Sequence, residues 1–143
     1  MLKKITIGRK DRVDFPDLRL EDIDAKVDTG AYTSAIHCDN IRLFQVDSEP
    51  WVRFTLFDDE HKVKHEAKVV VYKSIKNSFG QKEVRCVIKT KITLFKKNYT
   101  IELALTNRST MKYPVLLGRK LLNDRFIVDV SKQNLSYRKK SKS

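Results

Sequence analysis

Lys26-Val27-Asp28-Thr29-Gly30-Ala31 is the stretch that decides how the rest of this chain is read. Ahead of it Ile23, Ala25 and Val27 alternate with polar residues, the period of a half-buried strand. The strand runs straight into a turn. There Gly30 permits a sharp bend where a Cβ would clash, Thr29 offers a hydroxyl, and Asp28 is held in a tight loop that presents its carboxylate. An Asp-Thr-Gly alone is more often a plain turn than a site. Its weight comes from a second stretch, Tyr113-Pro114-Val115-Leu116-Leu117-Gly118-Arg119-Lys120-Leu121-Leu122, in which apolar residues lead to a Gly, an Arg and a short helical tail.

Strand patterns fill most of the remaining chain. Trp51 to Phe57 is a β-rich run that stops at Asp58-Asp59. Val63, His65, Ala67, Val69 and Val71 share one parity, so Lys62 to Tyr72 is expected to form one long half-buried strand. Asn77-Ser78-Phe79-Gly80 has turn chemistry, and Val84 to Leu94 after it is a second long strand. Lys96-Lys97-Asn98 is expected to close a hairpin onto Tyr99 to Leu105. Only Arg119 to Asp124 reads as helical, and Tyr137 to Ser143 reads as a frayed basic tail. The fold class expected is all-β, a closed barrel or sandwich, in one domain over residues 1–137 with a basic C-terminal tail at 138–143.

One carboxylate cannot hydrolyse a peptide by the aspartic mechanism. Two, a few ångströms apart, cannot both ionise, and they hold one proton between them. The ionised member then acts as general base on a water while the protonated one polarises the scissile carbonyl. The sequence holds no second Asp-Thr-Gly or Asp-Ser-Gly; Asp129, in Phe126-Ile127-Val128-Asp129-Val130, lacks the following Gly. A peptidase of this kind needs Asp28 from a second copy, on the axis of an isologous homodimer.

Together the two stretches resemble the retropepsin group of aspartic proteases. Val27 to Ala31 matches its hydrophobic-Asp-Thr-Gly-Ala, and Leu116 to Leu122 matches its hydrophobic-hydrophobic-Gly-Arg-x-Leu-Leu. Asp28 to His37, with Arg125-Phe126-Ile127-Val128-Asp129, is similar to the cellular branch labelled "putative ATP-dependent zinc proteases". The resemblance implies a retropepsin-like closed β-barrel with one short C-terminal helix, and Asp28 as the catalytic residue. It implies that Thr29, Gly30, Ala31, Gly118 and Arg119 support the catalytic loop and that Asn77, Ser78, Phe79 and Gly80 form a flap. It also implies chain termini (Lys3 to Ile7, Asn134 to Tyr137) that add interchain sheet pairing, and an association with glutamate-adding ligases. Viral retropepsins carry an acidic partner for the Arg just after the Asp-Thr-Gly-Ala; here that place is Tyr32.

The zinc and ATP of that label find no support in the residues. There is no His-Glu-x-x-His, His61 and His65 lie in a strand pattern, and His37-Cys38 are neighbours whose side chains point to opposite faces. No Gly-rich phosphate loop is present. No metal and no cofactor are therefore expected. Cys38 and Cys86, the only cysteines, are expected to be free and inert in a reducing compartment. The start carries no signal-like apolar run, and nothing approaches the roughly 18 apolar residues of a membrane span, so a cytoplasmic location is expected.

The net charge of +12 favours acidic partners. An acidic polypeptide substrate fits it, and so does nucleic acid or the ribosome. Three functions compete: a homodimeric aspartic peptidase, a non-catalytic basic barrel that binds RNA or ribosome with Trp51 and neighbouring aromatics, and an inactive retropepsin-fold binding module. Trp51, Phe54 and Phe57 are expected in or over the core rather than on a base-stacking platform.

Overall fold

A computed structural model describes residues 3–56, 63–76, 80, 82–107 and 112–142. Its strands are β1 (Ile5–Ile7), β2 (Lys10–Phe15), β3 (Leu20–Val27), β4 (Ser34–Val46), β5 (Glu49–Leu56), β6 (Lys64–Lys68), β7 (Val71–Lys76), β8 (Lys82–Leu94), β9 (Lys97–Thr106), β10 (Val115–Leu117) and β11 (Phe126–Val128). Two helices follow the same numbering, α1 (Arg119–Leu122) and α2 (Leu135–Ser141).

Six strands close a barrel in the order β10-β3-β2-β8-β9-β4, because β4 pairs back onto β10. Closure removes the open edges that an isolated sheet would present. Phe15, Ile36, Ile88, Ile92, Leu103 and Leu117 fill the interior with no solvent exposure. Alternation along β3 is as the sequence indicates: Ile23, Ala25 and Val27 are buried, Asp24 and Lys26 are exposed. Outside the ring, β5 and β6 extend the sheet beyond β4, β7 lies on β8, and β1 runs parallel to β11.

At four places the structure goes beyond or against what the sequence predicts. The single strand over Lys62 to Tyr72 is two strands, broken at Val69-Val70. There Val69 N–H donates to the Pro50 carbonyl and Val70 N–H to that of Val87, so the chain leaves β5 for β8. Shared parity cannot reveal a change of neighbour. The hairpin after β8 turns one residue early, at Phe95-Lys96, with φ of 52° and 63° at two non-glycine residues. Burial of Phe95 against Phe126 holds that left-handed turn in place.

The third is β4, a strand for which the sequence offers no pattern. Its first half (Ser34, Ala35, Ile36) is buried on both faces, and its second half is mostly exposed, so neither half alternates. The fourth concerns the C terminus. Residues expected to fray, and Asn134 to Tyr137 expected as strand, form α2 instead. Asn134 gives the helix no side-chain cap. Its first N–H groups, of Ser136 and Tyr137, donate to the carboxylate of Asp11, which is 1% exposed. A cap from so far away in sequence leaves no local signature. Likewise one edge of β1 is occupied by β11 of the same chain.

Candidate active site

β10 lies between β3 and β4: Val115 stands opposite Ala25 on one side and Ile36 on the other. The connection between β3 and β4, residues 28–33, must therefore cross the end of β10. That crossing holds the Asp-Thr-Gly. Asp28 N–H donates to the Leu117 carbonyl at 2.9 Å, Arg119 N–H to that of Ala31 at 2.8 Å, and Lys120 N–H to that of Tyr32 at 2.9 Å. The hydroxyl of Ser34, which is buried, accepts the Gly118 N–H at 3.0 Å. Two stretches far apart in sequence are thus laced backbone to backbone.

Gly118 is required by this lacing. A Cβ there would sit 2.7 Å from the Tyr32 carbonyl oxygen and 2.9 Å from the Thr33 carbonyl carbon, closer than side chains pack. The reason for Gly30 differs from the sharp bend expected. Its φ is not positive; a Cβ would instead lie 3.3 Å from Asp28 Oδ1, on the oxygen that accepts the Gly30 N–H at 3.0 Å. Asp28 is half-buried, and among the described residues its other carboxylate oxygen has no hydrogen-bond partner. Thr29 and Gly30 are exposed, and Ala31 is half-buried.

Arg119 finds its partners in this loop. Its guanidinium donates to the Thr29 carbonyl at 3.0 Å and lies 5.7 Å over the ring of Tyr32. The aromatic ring thus stands where a viral retropepsin has a carboxylate, and a cation–π contact takes the place of an ion pair. Ser34 is the residue that sequence reasoning missed. A small polar residue opening a strand is too common to single out. Beside the loop, Lys120 pairs with Glu102, which raises the lysine's pKa.

Of the flap candidates, Asn77, Ser78 and Phe79 lie outside the described residues. Gly80 is exposed with φ of 79°, and β7 and β8 pair from Val71–Val87 to Lys76–Lys82. Among the described residues no group of three His, Cys, Asp or Glu side chains converges as a metal site; His61 lies outside them. His37 faces Asp39 at 3.7 Å, while Cys38 points into the core, where burial pushes its thiol up to about 12. Burial raises Cys86 too, and both are free thiols. Phe54 is fully buried and offers no open ring to a base, and Trp51 is half-buried with its ring 6.4 Å from that of Phe44. No helix among the described residues is long and apolar enough to cross a membrane.

Residues 6–139 match the model of the RimB-like family, described as retropepsin-like aspartic endopeptidase RimB. A probable alpha-L-glutamate ligase of Desulfotalea psychrophila is 44% identical over 135 residues, which cover 92% of this chain and 29% of that protein. A probable alpha-L-glutamate ligase of Shewanella pealeana is 42% identical over 132 residues, covering 90% of this chain and 29% of that one. The chain thus spans less than a third of the length of the curated relatives it matches. The crystal structure of a Legionella pneumophila protein of unknown function (DUF785) superposes with a TM-score of 0.77 at 28% identity, covering 94% of this chain and 99% of that one.

Proposed function

The chain belongs to the RimB-like family of retropepsin-like aspartic endopeptidases, and from that premise we propose that it is a peptidase whose catalytic pair is Asp28 from each of two copies. One observation carries this reading. The loop around Asp28 is pinned through its backbone, while one carboxylate oxygen is left without a hydrogen bond among the described residues. A carboxylate held this way is positioned yet still able to exchange a proton. The exposed Thr29 and Gly30 leave room for the matching loop of a second chain.

In the dimer the two Asp28 groups share one proton. The ionised one removes a proton from a water as its oxygen attacks the scissile carbonyl carbon. The protonated one gives its proton to the carbonyl oxygen, and the tetrahedral adduct collapses with proton transfer to the leaving nitrogen. Arg119 and Gly118 act by positioning, through the Thr29 carbonyl and the backbone of Tyr32 and Thr33. The hairpin of β7 and β8 serves as flap. Neither metal nor nucleotide takes part, so a chelator or removal of ATP leaves the rate unchanged.

The substrate is an acidic polypeptide. The +12 charge supports this, and so do relatives in which a similar stretch is part of a probable alpha-L-glutamate ligase. Attraction of this kind is screened over about 10 Å at 0.1 M salt, so cleavage of acidic peptides falls as salt rises. The deciding experiment mixes wild type with excess Asp28→Asn chains. Mixed dimers carry a single ionisable carboxylate, so activity drops faster than the wild-type fraction. Activity that simply tracks the wild-type fraction would overturn the shared site. A wild-type protein that binds acidic chains and cleaves none would be a binding module instead.

A further inference from the structure

A second cationic feature lies on the part of the sheet outside the barrel. Asn40, Arg42, Arg53, Phe54, Thr55 and Lys64 line a cavity of about 500 Å³ across β4, β5 and β6. Two of these residues, Arg42 and Arg53, stand directly opposite each other in the β4–β5 ladder. Like charges in that relation destabilise a sheet unless an anion lies between them. Arg53 has a loose contact with Glu66 at 3.6 Å and lies over the Phe44 ring at 5.3 Å. The side chains of Arg42 and Lys64 have no hydrogen bond or ion pair among the described residues.

Backbone irregularity creates the cavity. The ladder slips between Asp39 and Arg42, with Asn40 in the left-handed region at φ of 53°. Asn40 then donates its amide to the Thr55 hydroxyl, which donates to the Asp39 carbonyl, fixing the floor. In the other basic hollows some of the cations are engaged internally. Beside α1, Lys120 is paired with Glu102, and Arg125 donates to the Leu121 carbonyl. Beside α2, Arg9 donates to Gln133 and to the Val130 carbonyl.

We propose that the cavity between Arg42, Arg53 and Lys64 is a subsite for carboxylate side chains of an acidic polypeptide. Guanidinium forks match carboxylates in shape as well as charge. A single-stranded nucleic acid would need an open ring to stack on, and the one aromatic lining residue, Phe54, has none of its surface exposed. The subsite rests on the peptidase reading for its purpose, since it gives the enzyme a hold on substrate away from the scissile bond. Arg42 lies eight residues beyond Ser34 on β4. At roughly 3.3 Å per residue this is at most about 26 Å from Ser34, which directly follows the Asp28 loop, the span of about eight extended substrate residues.

The test measures binding of fluorescein-labelled hexaglutamate to the full chain carrying Asp28→Asn, so that no cleavage intervenes. Arg42→Glu is expected to weaken binding by at least about tenfold, Lys64→Glu by somewhat less, and neutral Arg42→Gln by about threefold, while the melting temperature does not fall and rises slightly in the Arg42 variants as the like-charge pair is relieved. Lys97→Glu, the same charge change at an exposed site on β9, is the control and should cost under about twofold. Hexaglutamate binding that ignores Arg42→Gln and Lys64→Glu, or that falls equally with Lys97→Glu, overturns the subsite. So does an oligonucleotide of equal charge that binds through Arg42 where hexaglutamate does not. If Arg42→Glu removes binding while the wild type cleaves no peptide, the subsite stands and the peptidase reading falls.

Discussion

Asp11, near the start of β2, and Asp28, just past the end of β3, are both aspartates at strand ends, and the fold uses them in opposite ways. Asp11 is 1% exposed, and its two oxygens accept the N–H groups of Arg12, Ser136 and Tyr137. Asp28 is half-buried, and its carboxylate accepts only the Gly30 N–H among the described residues. The first carboxylate is consumed by structure: it replaces the missing cap of α2 and docks that helix on β2. The second is held by its backbone rather than its side chain, which leaves an oxygen for chemistry. Burial and hydrogen-bond count, rather than residue type, separate a structural acid from a catalytic candidate.

Substitution at each aspartate should move one property and spare the other. Asp28→Asn is expected to cut peptide cleavage by about a thousandfold or more, with the melting temperature within roughly 2 °C of wild type. Turnover assays beside thermal unfolding check it, and a folded Asn variant with near-normal turnover would erase the distinction. Asp11→Ala should do the reverse. Leaving buried N–H groups unpaired costs about 3 kcal/mol, which lowers the melting temperature by about 10 °C, while cleavage per folded chain is retained.

Gly118→Ala sharpens the contrast, because it strikes the loop without touching a carboxylate. The new Cβ must displace the Tyr32 carbonyl, which costs about 2 kcal/mol by overpacking and, through the shifted loop, about tenfold in turnover. Equal stability and equal activity would show that the lacing between residues 28–33 and 118–120 is dispensable.

The smallest effect is expected at Lys140, which clamps the far end of α2 to Asp14 and Asp22 at 2.8 Å each. Hydrogen bonds to Asp14 first, and then Asp22, raise its pKa above the ordinary lysine range. A raised pKa stabilises the fold fully below that range and loses the contribution as pH rises through it. Because the side chain is 42% exposed, Lys140→Met should cost under about 1 kcal/mol. The gap in melting temperature should stay constant from neutral pH to about pH 10 and shrink above it. A gap that widens with alkali would break the assignment.

The Asp28 half of that comparison was legible in the sequence, and the Asp11 half was not. Val27-Asp28-Thr29-Gly30-Ala31 and Leu116-Leu117-Gly118-Arg119 mark the two loops because each needs particular residues in unbroken order. Nothing near Asp11 announces that its partners are Ser136 and Tyr137. The pairing of Arg42 with Arg53 was equally silent, since it follows from the two-residue turn at Asp47-Ser48, where two non-glycine residues take positive φ.

By itself the sequence determined the all-β class, the retropepsin likeness and the two loops, since strand period and turn chemistry are local properties carried by adjacent residues. Only the tertiary structure decided that β4 closes the barrel, that Val69-Val70 switches neighbours, that the C terminus is helical, and that Arg119 rests on Tyr32. Each of these is a choice of partner. Partners are selected by the free energy of burying and satisfying groups far apart along the chain, which no local window of residues contains.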